Sequence, residues 1–93
     1  MFKTNEYFEG KVKSVVYENE TGKYTIGVMA AGSYEFSTRS NEEMTVVNGM
    51  LKALLPEESE WKNYPAGSTF HVAANVKFKV EAIGTTAYLC RYY

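Results

Sequence analysis

The chain has 93 residues, a formal net charge of −1 from ten basic and eleven acidic side chains, and 45% hydrophobic content, enough for one compact core and so for a single domain over residues 1–93. Acidic and basic residues are interspersed, so no Lys/Arg stripe points to a nucleic-acid polymer as partner, and no apolar run approaches the ~20 residues of a membrane span. One cysteine, Cys90, excludes an internal disulfide framework, and the opening Met1-Phe2-Lys3-Thr4-Asn5-Glu6 lacks the apolar core of a signal peptide; a cytoplasmic protein is expected.

Turn signals recur every several residues, with alternating patterns between them. Lys11 to Tyr17 reads as a strand with Val12, Ser14 and Val16 on one face. After the turn Glu18-Asn19-Glu20-Thr21-Gly22, Tyr24 to Met29 reads as a strand with Tyr24, Ile26 and Val28 on one face. Ala31-Gly32 leads into Ser33 to Thr38. Glu42 to Val47 and Met50 to Leu55 flank Asn48-Gly49, the strongest local hairpin signal in the chain. Glu57-Glu58-Ser59-Glu60 reads as a loop or one helical turn. Trp61 to Tyr64 and Thr69 to Val72 flank Pro65-Ala66-Gly67. Val76, Phe78 and Val80 alternate with Lys77, Lys79 and Glu81, a half-buried strand, and Thr86 to Tyr93 is the last. Short strands at this spacing, without a convincing helix, predict a sandwich or barrel. Eight Tyr and five Phe suit either a small β core or a platform for planar ligands.

Two turn units resemble the halves of a cupin motif. Glu42 and Gly49, with six residues between them, match the end of the first, whose Glu is a metal ligand. The His-x-His expected before it falls on Phe36 and Thr38. Pro65-Ala66-Gly67-Ser68-Thr69 matches the second, whose His position is Phe70. His71, the one histidine of the chain, comes one residue late, which turns it to the other face of a strand. The resemblance implies an all-β cupin-type jelly-roll barrel that has lost its metal ligands, and no bound metal is expected.

Longer strings narrow the resemblance. Asn5-Glu6-Tyr7-Phe8, Gly10-Lys11-Val12-Lys13-Ser14, Gly27-Val28-Met29, Phe36-Ser37-Thr38, Glu42-Glu43-Met44-Thr45-Val46, Leu54-Leu55-Pro56 and Tyr88-Leu89-Cys90-Arg91-Tyr92 occur in this order. In a chain of this length they resemble the small bacterial pyrimidine/purine nucleoside phosphorylases, a single-domain cupin family. The resemblance covers about Thr4 to Tyr93. It implies phosphorolysis of purine and pyrimidine nucleosides by inorganic phosphate, giving free base and ribose 1-phosphate, with a broad base range and no cofactor beyond the phosphate co-substrate.

That chemistry needs held phosphate, a positioned ribose and stabilised charge on the departing base. Arg91, Ser37 and Thr38 are of the right type for phosphate. Glu42 or Glu43 suits the ribose diol, and a protonated Glu can donate to the base. Phe70, Tyr88 or Tyr34 can form a base slot, with core packing the competing use of Phe70. Because neighbours on a strand face opposite sides, only one of Glu42 and Glu43 points inward, and the cupin register selects Glu42. By the same rule either Arg91 or the Tyr88/Cys90 pair lines the cavity. Thr38 is expected inward, Ser37 outward unless the strand has ended. A homodimer is expected, because a small open barrel leaves an edge and an apolar face for a second copy. The principal alternative is a non-catalytic cupin that binds a small nucleoside- or sugar-like ligand.

Overall fold

A computed structural model describes residues 2–93. Ten strands and no helix are present among them: β1 (Lys3–Tyr7), β2 (Val12–Asn19), β3 (Gly22–Met29), β4 (Gly32–Ser37), β5 (Glu42–Asn48), β6 (Met50–Leu54), β7 (Lys62–Pro65), β8 (Thr69–Val72), β9 (Lys77–Ala82) and β10 (Thr86–Tyr92). They form a six-stranded sheet in the order β1-β2-β3-β10-β5-β8 and a four-stranded sheet in the order β4-β9-β6-β7. Every pairing is antiparallel. From β3 onward the chain passes repeatedly between the sheets, which makes the fold a cupin-type jelly roll. The sheets pack face to face without closing into one continuous hydrogen-bonded ladder.

The Asn48-Gly49 signal turns out to mark a corner, not a hairpin. β5 pairs with β10 and β8, and β6 pairs with β9 and β7. Gly49 takes φ = 101°, a left-handed value that lets the chain leave one sheet and enter the other. A Cβ there would lie 2.6 Å from Thr86 Oγ1. That hydroxyl is fully buried; it accepts the Met50 N–H at 3.3 Å and donates to the Gly84 carbonyl at 3.0 Å. The corner is therefore welded to β10, and pairing with the outer strands overrides the local turn preference. Pro65-Ala66-Gly67 is the matching corner between β7 and β8, where the Gly67 N–H donates to the Val46 carbonyl at 2.7 Å. Both cupin-like turn units thus sit where the chain changes sheets.

β1 is the strand that alternation alone does not reveal, since Lys3, Thr4, Asn5 and Glu6 carry no apolar periodicity. It adds to the edge of the larger sheet through β2. Phe8 and Glu9 in the following turn have φ of 53° and 60°, an uncommon conformation for a bulky side chain. The turn delivers the Phe8 ring onto the smaller sheet, 4.9 Å from Tyr34 and 5.6 Å from Phe36 between ring centroids. The aromatic row continues through Phe78 and Phe70 to Tyr64. Together with Met29, Val46, Leu51, Ala53, Val80 and Ala82 it fills one part of the space between the sheets. Glu57 and Glu58 lie in a turn rather than a helix.

Candidate active site

The rest of the space between the sheets is a cavity of about 560 Å³, within the range of small-ligand sites. It is bounded by the inner face of the six-stranded sheet, by β4 and by the β4–β5 connection. Strand pairing fixes which side chains meet there. On β10, Tyr88, Cys90 and Tyr92 point inward and Leu89 and Arg91 outward. Tyr92 is the cross-strand partner of Glu42, and Cys90 of Met44. On β3, Lys23, Thr25 and Met29 line the cavity, leaving Tyr24, Ile26 and Val28 on the outer face. The inner position between Thr25 and Met29 is Gly27, where a Cβ would lie 2.6 Å from the Tyr88 ring. The missing side chain is what gives Tyr88 its place.

Glu42 is the carboxylate of β5 that reaches this interior. Burial raises its pKa above the usual carboxylate value, against a smaller opposing effect of the Cys90 thiol, which donates to Glu42 Oε1 at 3.4 Å. Cys90 is itself pushed up, by burial first and by the Glu42 charge second. It is therefore a protonated donor and not a nucleophile. Burial likewise pushes Tyr88 up to about 12 and raises Tyr92. Tyr92 Oη lies 2.8 Å from Thr25 Oγ1, a bond in which either hydroxyl can donate. Glu42 thus sits among groups that keep their protons, in surroundings that favour its own neutral form.

The other residues named from the sequence separate cleanly. Tyr88 lines the cavity wall, and Ser37, the last residue of β4, lines the rim. Thr38 is buried but does not line the cavity. Its hydroxyl donates to the Ala73 carbonyl at 2.7 Å and accepts the Val76 N–H at 3.1 Å, stapling the end of β4 to the β8–β9 turn. Phe70 is core, packed 4.5 Å from the Tyr64 ring centroid. Glu43 and Arg91 are cross-strand neighbours on the outer face. Glu43 Oε2 is 3.1 Å from His71 Nε2, and the Arg91 guanidinium lies over the Tyr93 ring at 5.4 Å. His71 points away from the interior that Phe70 occupies, as the one-residue shift requires. Tyr34 is buried, with its hydroxyl donating to the Ala30 carbonyl at 2.7 Å. Among the described residues no three His, Cys, Asp or Glu side chains converge on a common point.

Thr25, Tyr92, Lys23 and Arg39 are lining residues that the sequence reading did not single out. Tyr92 had a signal: it continues the two-residue spacing of Tyr88 and Cys90. Thr25 and Lys23 had none, because the apolar alternation of β3 runs along its outer face.

The model of the pyrimidine/purine nucleoside phosphorylase family matches residues 2–92. The chain belongs to this family. It is 55% identical to a pyrimidine/purine nucleoside phosphorylase of Pseudoalteromonas atlantica over 99% of both chains. It superposes on the crystal structure of a Vibrio parahaemolyticus protein of unknown function with a TM-score of 0.96, at 39% identity, covering 100% of this chain and 99% of that one. A likeness of fold alone extends to a putative ethanolamine utilization protein of Salmonella typhimurium, with a TM-score of 0.75 at 12% identity over 100% of this chain and 94% of that one. No helix among the described residues is long and apolar enough to cross a membrane.

Proposed function

We propose that the chain is a nucleoside phosphorylase that cleaves purine and pyrimidine nucleosides with inorganic phosphate in the cavity between its sheets. The observation that carries this reading is full-length agreement with relatives of that name at about half identity. The cavity supplies a fitting chemistry. A phosphate oxygen forms a bond to C1′ of the ribose while the C1′–N bond breaks, its electron pair staying on the base nitrogen. The base nitrogen takes a proton from the carboxyl of Glu42, whose burial favours the protonated form. The proton released when hydrogen phosphate becomes an ester restores Glu42. Tyr88 and the aromatic wall at Phe36 and Phe78 take the base by stacking, and a slot with few directed hydrogen bonds discriminates weakly between rings.

The reaction needs no metal in this scheme. A cytoplasmic setting agrees with one free, buried Cys90. A homodimer would cover Ile26, Val28 and Val47, which leave about half their surface exposed on the outer face of the larger sheet; light scattering on the purified protein tests it.

Chelator-treated protein incubated with uridine, inosine or adenosine should release free base only when inorganic phosphate is present. Base release without phosphate would make the chain a hydrolase. Absence of release with every nucleoside would leave the cavity as a binding site without turnover.

A further inference from the structure

The cavity is electrically lopsided. Lys23, Tyr92 and Glu42 are cross-strand neighbours on β3, β10 and β5. Lys3 lies one row along the same face, reached through Val16, Thr25 and Cys90. From the facing side, Ser37 closes β4, and Arg39 and Ser40 lie on the connection that runs into Glu42; all three line the cavity. The other end is apolar, formed by Met29 at the far end of β3 and by Phe8, Phe36 and Phe78.

The cations at the Glu42 end form no ion pair among the described residues, although Glu18 of β2 is the cross-strand neighbour of Lys23. Three ion pairs join described residues: Lys13–Glu6, Lys62–Glu58 and His71–Glu43. Lys3, Lys23 and Arg39 take part in none of them. The carboxylates lining the same cavity are Glu35 and Glu42, and burial holds Glu42 toward its neutral form. Lys3, Lys23 and Arg39 thus outnumber Glu35 and Glu42 in the lining of the cavity, a surplus of positive charge that favours an anion.

We propose that Arg39 and Lys23, with the hydroxyls of Ser37 and Ser40, hold the inorganic phosphate co-substrate at the Glu42 end of the cavity. The proposal rests on the phosphorolysis reading for its substrate, and the geometry assigns the place. A guanidinium offers two parallel N–H donors to phosphate, an ammonium a movable point charge, and serine hydroxyls complete the shell. Arg91, the other arginine of the chain, is removed from this role by its position over Tyr93 outside the barrel. With phosphate at the charged end, the base falls at the aromatic end and the ribose between them, so C1′ faces the attacking oxygen.

The test uses inorganic phosphate alone, by titration calorimetry, and phosphate-dependent base release. Arg39→Gln and Lys23→Gln should each weaken phosphate binding about tenfold or more, the loss expected for a charged hydrogen bond, and raise the phosphate KM in parallel. The nucleoside KM should move by less than about threefold. Arg39→Lys should recover part of the loss, which separates a contact from a fold defect, and Arg91→Ala should bind phosphate as the unaltered protein does. Phosphate binding that persists in both Gln variants, that is absent from the unaltered protein, or that is lost in Arg91→Ala overturns the proposal. Phosphate binding that depends on Arg39 in a protein releasing no base would retain the subsite while ending the phosphorylase reading.

Discussion

The two faces of the six-stranded sheet are built from alternate residues of the same strands, yet their chemistry differs. Glu42 and Glu43 are consecutive. Inside, Glu42 loses solvent, its carboxyl is biased toward the neutral form, and the donor it receives is the weak thiol of Cys90. Outside, Glu43 meets His71 at 3.1 Å with both side chains partly in water. On β10 the protonated Tyr88, Cys90 and Tyr92 face inward, while Arg91 spreads over an exposed Tyr93. A side chain's role here is decided by one step of strand register, because that step exchanges a desolvated pocket for bulk solvent. Residue type alone does not decide it.

The sharpest break of this comparison is a pair of isosteric amides. In the proposed mechanism Glu42→Gln removes the proton donated to the base, and it should lower kcat/KM by about 10²–10⁴-fold, the usual worth of a general acid. Glu43→Gln removes an outer-face charge and should stay within about twofold. Steady-state phosphorolysis of uridine measures both. Comparable losses in the two variants would erase the distinction between the faces.

The next effect falls on stability. Gly27→Ala places a methyl group 2.6 Å from the Tyr88 ring, and overpacking of this kind costs about 1–3 kcal/mol. In a domain of this size that lowers Tm by roughly 4–8 °C per kcal/mol. The same substitution at Gly84, where a Cβ would meet nothing within 4 Å, should leave Tm nearly unchanged. If Gly27→Ala melts with the unaltered protein, Tyr88 is not held where the structure puts it.

Much of this architecture is legible in the sequence, and the exceptions have physical causes. Alternation in Val76-Lys77-Phe78-Lys79-Val80 reports β9 directly, because one side of that strand meets the core and the other meets water. Alternation in β3 is present but marks the reverse side. Its inner face holds Lys23, Thr25 and Gly27 before Met29, since a cavity needs polar groups and room, and its other apolar residues lie outside. β1 escapes notice because an edge strand over an open cavity has no apolar face to display. Asn48-Gly49 is a real turn whose strands separate, since hydrogen bonding of β5 to β10 outcompetes the hairpin. For the site, register correctly singles out Glu42 over Glu43 as the inward residue. What one strand's spacing cannot supply is the partner across the gap: that Thr38 spends its hydroxyl on Ala73, or that the β4–β5 connection brings Arg39 to the rim.

The smallest effect is a slope. The native pKa of Glu42 is raised above the ordinary 4.5 of an unfolded Glu. Folding therefore takes up a proton at this group as pH rises past that value. Its contribution to stability is complete below the unfolded pKa and is lost as pH climbs through the native one. Glu42→Gln carries no such proton, so its Tm relative to the unaltered protein should improve as pH is raised above the ordinary 4.5 and level off once Glu42 is ionised in the native state. Thermal melts at a series of pH values test the burial of Glu42 without any substrate, so the outcome stands whether or not base is released. Parallel melting curves for Glu42→Gln and the unaltered protein would mean that Glu42 stays hydrated in solution, and the acid role would fall with its burial.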